Sequence, residues 1–233
     1  MTRVLSRFVW AAAALLALTA SQPLAGRDGL VDLELVLAVD TSSSVSEHEF
    51  ALQVLGLAEA FQDPAVIAAI EDSAPNGIAV SLVQWSGAGW QEQTVPFSFV
   101  NDATSAYLLA GRIAATKRAI IGGPTALGAA IDYAAKLMAG NAFAGARQVI
   151  DISGDGVNNH GLSPVVARAR AVARGITING LAILNEEPTL DRYYTTQVIG
   201  GAGAFLLTAN DFEAYRRAIR IKLIREISTV PMT

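Results

Sequence analysis

Leu33 to Val39 reads LELVLAV and runs straight into Asp40-Thr41-Ser42-Ser43-Ser44. A second stretch of the same kind, Gln148 to Ile152 (QVIDI), runs into Ser153-Gly154-Asp155-Gly156 and the polar loop VNNHG. A short, almost wholly apolar run that stops at small and polar residues is the pattern of a strand covered on both faces, with a loop at its carboxyl end. Gly77 to Ser86 (GIAVSLVQWS) and Ile176 to Leu184 read the same way. Glu92 to Phe99 reads as a shorter strand, placed at an edge by Pro96, and Phe205 to Leu207 as a last short one.

Helices fill the intervals. Ser46, with Glu49 three residues on, forms a capping box ahead of Phe50, Val54, Leu57 and Phe61, which recur at helical spacing. Pro64 interrupts, and a second helix is expected over Ala65 to Glu71. Asp102 or Asn101 caps a helix reaching about Ala115, and Gly122 to Pro124 leads into another from Ala126 to Met138. Ser163-Pro164 is an N-cap and first-turn pair for a helix to Ala173. One more is expected around Leu190 to Val198, and Asn210 caps a last one to about Ile227. Strand and helix alternate throughout, which specifies one doubly wound α/β domain over residues 30–228, with a mostly parallel central sheet flanked by helices. Ligands of such sheets sit beyond the carboxyl ends of the strands.

The chain has 233 residues, 52% hydrophobic and 16% charged, with 17 basic against 21 acidic residues. A mild acidic excess of this size argues against nucleic acid as the main partner. There is no cysteine, so disulfide frameworks and thiolate zinc sites are excluded, and His48 and His160 are the only histidines. At the start, Arg3 and Arg7 precede the apolar run Phe8 to Leu18, followed by small residues. That is a signal peptide over residues 1–25, cleaved near Ala20 or Ala25, because the run is too short to span a bilayer. Removing it takes the net charge from −4 to −6. No later stretch reaches spanning length without charges, so the mature protein is expected in the periplasm or secreted, with no membrane span.

Alternate residues of an extended turn point the same way, so Asp40, Ser42 and Ser44 can converge on one point. Thr125, in the Gly122-Gly123-Pro124-Thr125 loop, and Asp155 stand at other strand-to-helix crossings. Two carboxylates and three hydroxyls are hard oxygen donors, the set preferred by Mg²⁺, with Mn²⁺ or Ca²⁺ as alternatives.

Asp40-Thr-Ser-Ser-Ser44, a threonine in a Gly-rich loop, and the aspartate of SGDG, in that order after apolar strands, resemble the metal-ion-dependent adhesion site of von Willebrand factor A domains. VQWSG and VIDISGDGVNN resemble, more narrowly, an uncharacterised family of exported bacterial proteins with this fold. The resemblance implies a three-layer Rossmann-type architecture. It also implies metal coordination by Asp40, Ser42 and Ser44, with Thr125 and Asp155 contributing directly or through water. Family members mostly bind proteins through the metal, so the expected function is an exported, metal-dependent protein-binding module. Its expected partner is a protein that offers an acidic side chain to the ion, and no catalysis is expected. The alternatives are a metal-assisted hydrolase of phosphate or peptide bonds and a fold with a vestigial site. A hydrolase needs a base beside the metal, and only His160, Asp151 and Asn158/Asn159 are on offer.

Other features carry less. Gly123 to Gly128 lacks the lysine of a phosphate-binding loop, and Gly200-Gly201-Ala202-Gly203 precedes a strand instead of following one. Asp151 interrupts a buried strand and is expected to serve a structural hydrogen bond. His160 and His48 are expected exposed, Trp85 in the core, and Trp90 is a candidate binding aromatic. On the last helix Arg216, Arg217, Arg220, Lys222 and Arg225 are expected to form a solvated face opposite Phe212, Tyr215, Ile219 and Leu223.

Overall fold

Strand β1 (Leu30–Asp40) occupies the middle of a six-stranded sheet with β2 (Ile78–Trp85) and β4 (Ala144–Gly154) parallel on either side. The computed structural model describes residues 29–228, so the signal peptide expected over residues 1–25 lies outside the described residues. β3 (Gln91–Val100) lies antiparallel at one edge, β5 (Ile176–Ile183) and β6 (Leu206–Ala209) continue the other side, and the order is β3-β2-β1-β4-β5-β6. The expected fold class is the one observed.

Alternation along β1 divides its side chains between two cores. Leu33, Leu35, Leu37 and Val39 pack with α1 (Glu47–Gln62), α2 (Pro64–Ser73), α3 (Ala103–Ala114) and α7 (Phe212–Ser228). Val36 and Ala38 pack with α4 (Leu127–Gly140), α5 (Pro164–Val172) and the short α6 (Leu190–Tyr193). Two-sided burial is why the run reads as almost continuous apolar sequence. Glu34, fully buried on β1, is accommodated by three donors: Gly145 N at 2.6 Å, Asn141 Nδ2 at 2.8 Å and Gln148 Nε2 at 3.2 Å.

The sequence misplaces several boundaries for identifiable reasons. β1 and β4 begin earlier than expected because Leu30–Val31 pairs with Ala144–Gly145, a segment with no apolar pattern of its own. Pro64 does not interrupt a helix so much as begin one, at the first turn of α2, with Asp63 as N-cap. Ser46 and Glu49 form the expected capping box. Ser163 holds the N-cap position of α5 without a side-chain capping bond. At α7 it is Asp211, not Asn210, whose carboxylate accepts from a first-turn amide, Ala214 N at 2.7 Å. The helix expected over Leu190 to Val198 changes at Tyr194 into a π-helical turn ending at Val198. In β3 the pairing slips between Val80–Ser98 and Leu82–Val95, which absorbs Pro96 in a bulge at the edge.

From β1 the chain moves outward to β2, then returns to lay β4 on the other flank of β1. The loops after β1 and β4 therefore open side by side, at the point where the strand order reverses.

Candidate metal centre

Asp40 closes β1 and is fully buried. Its backbone carbonyl accepts from the buried Gln53 amide at 3.1 Å, and the Thr41 N–H and hydroxyl both donate to the Trp85 carbonyl, at 2.9 and 3.0 Å. With the main chain held, Ser42 N donates to Asp40 Oδ1 at 2.7 Å. The Ser42 and Ser44 hydroxyls lie 3.2 Å apart, and Ser44 Oγ donates to Asp155 Oδ1 at 2.7 Å. Ser43, the intervening residue, turns the other way: its N–H donates to the Gly123 carbonyl at 2.9 Å and its hydroxyl accepts from Gly123 N at 2.8 Å. The alternation expected of the turn is thus realised, and the off-face serine ties it to the Gly122–Thr125 loop.

That loop joins α3 to α4 and follows no strand, contrary to the strand-to-helix crossing expected for Thr125, and it needs its glycine. Gly123 has φ +99°, and a Cβ there would stand 2.4 Å from the Trp90 ring. Thr125 is pinned by two bonds with Asn159: its N–H donates to Asn159 Oδ1 at 2.8 Å and its carbonyl accepts from Asn159 N at 2.9 Å. The Thr125 hydroxyl faces the turn after Asp155, 3.5 Å from where a Cβ of Gly156 would sit. Four of the five residues singled out in the sequence are therefore joined by direct hydrogen bonds, and Thr125 is set beside them.

Charge at the centre is unbalanced. Asp40 Oδ2 and Asp155 Oδ2 are buried and accept no hydrogen bond. Burial, and after it the neighbouring Asp155 carboxylate, pushes Asp40 from 3.8 up to about 7. Burial also raises Asp155. Buried carboxylate oxygens are ordinarily satisfied. Two left open beside hydroxyl donors fit a hard divalent cation, which would lower both pKa values by its charge. Among the described residues no group of three or more His, Cys, Asp or Glu side chains could hold a metal ion. An ion held here would rest on two carboxylates plus hydroxyls.

Arg118 has no motif to announce it. Its side chain is 6% exposed, and its guanidinium donates to the carbonyls of Thr41 at 3.0 Å, Ser42 at 3.3 Å and Val45 at 2.7 Å. It clamps the turn that carries the serines.

The residues weighed as catalytic bases are otherwise engaged. His160 is exposed, as expected, and its Nδ1 accepts from Ala88 N at 3.0 Å. Asn158 Oδ1 accepts from Gly128 N at 3.3 Å, and Asn159 holds Thr125. Trp85 is buried as expected, while Trp90 is 51% exposed, lying over Gly123.

Asp151 serves structure, as expected, but its partner is an ion. Lys222 Nζ lies 2.6 Å from Asp151 Oδ1 and 2.5 Å from Glu226 Oε1, and Asn179 Nδ2 adds a bond of 2.9 Å to the same Glu226 oxygen. The expectation that Lys222 belongs to a solvated face is therefore wrong. Its side chain is 0% exposed, because the helical turn that buries Tyr215 and Ile219 carries Lys222 and Glu226 inward with them. Arg216 and Arg220 do lie outside, paired with Glu59 and Asp63.

The fold is that of a von Willebrand factor A domain. It is similar to proximal thread matrix protein 1 from the mussel byssus, at 16% identity and a TM-score of 0.60 over 86% of this chain and 49% of that one. Another structure of that protein, similar at a TM-score of 0.59, has a zinc-occupied MIDAS motif, the metal-ion-dependent adhesion site. A von Willebrand factor type A protein from Catenulispora acidiphila matches at 15% identity and a TM-score of 0.57, over 84% of this chain and 43% of that one. The pilus adhesin SpaC from Lactobacillus rhamnosus GG matches at 12% identity and 0.57, over 84% of this chain and 31% of that one. The chain thus spans half or less of the length of these structures. No curated protein matches the sequence. Residues 30–231 match the model of the family described as "Protein of unknown function (DUF1194)", and the chain belongs to that family.

Proposed function

We propose that this protein is an exported metal-dependent protein-binding module. It would hold Mg²⁺ on Asp40, Ser42, Ser44, Thr125 and Asp155 and receive an acidic side chain of its partner on the ion. The observation that carries this reading is the pair of buried, unpartnered carboxylate oxygens on Asp40 and Asp155, set beside two serine hydroxyls at the carboxyl ends of adjacent strands. Two carboxylates formally neutralise a divalent ion and leave a position of its octahedral shell open, which a partner's carboxylate would fill. The zinc-occupied MIDAS motif of the mussel protein and the adhesin among the similar structures support it. All-oxygen donors favour Mg²⁺ over zinc here. The signal-like first 25 residues support export, and among the described residues no helix is long and apolar enough to cross a membrane. Binding is preferred to hydrolysis because His160, Asp151, Asn158 and Asn159 are each committed to other contacts.

Thermal unfolding with and without Mg²⁺ tests the ion. Wild type should gain stability in millimolar Mg²⁺, since the ion binds only the folded chain. Asp40→Asn should lose that response, and in chelator it should melt no lower than wild type, because it relieves repulsion with Asp155. A wild-type protein indifferent to both Mg²⁺ and Mn²⁺ would sink the proposal.

A further inference from the structure

Tyr194 opens the π-helical turn, where Ile199 N reaches back five residues to the Tyr194 carbonyl at 3.0 Å. Such turns are uncommon and often stand at functional sites. The side chain is fully buried in the core beneath α4 and α5, yet its hydroxyl makes no hydrogen bond. Packing alone does not explain that hydroxyl, since phenylalanine would fill the same space without burying a polar atom.

What the hydroxyl faces is informative. A Cβ built on Gly154 would stand 2.8 Å from Asp40 Oδ2 and 2.9 Å from the Tyr194 hydroxyl oxygen. The donor without an acceptor and the carboxylate oxygen without a donor therefore border one backbone position, which glycine leaves open. Asp40 Oδ1 is already engaged by Ser42 N, so Oδ2 is the oxygen left to be fixed.

We infer that Tyr194 is a positioning residue of the metal centre. Its hydroxyl donates to one lone pair of Asp40 Oδ2 and leaves the other for the ion, and so fixes the rotation of the Asp40 carboxylate when a cation is held. Gly154 keeps the space between them clear. This rests on the metal-binding reading above. A donor of this kind restricts a ligand to one orientation and sharpens its affinity for the ion.

The test is Tyr194→Phe in the full chain, read by two measurements: Mg²⁺ affinity from titration calorimetry, and melting temperature in chelator. The expected result is Mg²⁺ affinity lowered roughly tenfold, with the chelator melting temperature unchanged or higher because a buried unpartnered hydroxyl has gone. A purely structural tyrosine would move the melting temperature and leave the affinity alone. Affinity within twofold of wild type, or failure of Tyr194→Phe to fold, overturns the inference. Wild type with no Mg²⁺ response overturns the metal reading itself. Gly154→Ala gives an independent check. Its Cβ intrudes on both oxygens, so it should lower Mg²⁺ affinity at least as much, and unchanged affinity there also counts against the inference.

Discussion

Lys222 reaches from the last helix to within 2.6 Å of Asp151 in the middle of β4, and neither side chain meets solvent beyond 2%. With Glu226 on its other side, one ammonium stands between two carboxylates inside an apolar core. Burying a charge is tolerable only when it is paired, and removing one partner strands the others.

Lys222→Met should accordingly destabilise the protein by about 3–5 kcal/mol, measured as a fall in the urea midpoint at neutral pH. Replacing the whole group at once, with Asp151→Leu and Glu226→Leu added, should recover most of the loss, since no unpaired charge then remains.

The same group sets a pH dependence. Burial, and then Asp151, pushes Glu226 from 4.5 up to about 7. Between those values the folded chain keeps a proton that the unfolded chain has released. Stability from this group is therefore fully present below about 4.5, declines as pH rises, and is gone above about 7. Wild type should lose stability relative to Glu226→Gln across that interval. Paired urea titrations at several pH values check it, and a difference that stays flat would contradict the assignment.

Arg118→Lys tests the clamp on the serine turn. A lysine ammonium cannot span the carbonyls of Thr41, Ser42 and Val45 as the planar guanidinium does. The variant should lose about 1–3 kcal/mol of stability and weaken Mg²⁺ roughly tenfold by loosening Ser42 and Ser44. Calorimetric titration beside thermal unfolding separates the two effects.

The strands and the serine turn were legible because their signals are local. LELVLAV is apolar on both faces because β1 is covered on both faces, and an extended turn sends Asp40, Ser42 and Ser44 to one side whatever surrounds it. Asp211 displaced Asn210 as the cap of α7 through a one-residue choice between two residues of nearly equal capping strength. Lys222 was misread for a different reason. Tyr215, Ile219, Lys222 and Glu226 follow one another at helical spacing, but four arginines nearby drew the lysine onto the wet face. Pairing it with the oddly buried Asp151 needed tertiary knowledge. Arg118 and Tyr194 gave no sequence signal: one bonds to carbonyls, which carry no residue identity, and the other is an ordinary apolar position of a helix until the turn widens.

The bond from Ser44 to Asp155 crosses 111 positions of sequence. It cannot close until β4 has been laid beside β1, a pairing that demands a large entropic loop closure. No fragment ending before residue 144 can bring both carboxylates together, however well its own helices form. Competence to hold the ion and the pairing of β4 with β1 are then one event, so the ion would count only molecules whose two central strands are in register. A half-made or misregistered chain would be silent to any partner that reads the domain through its metal.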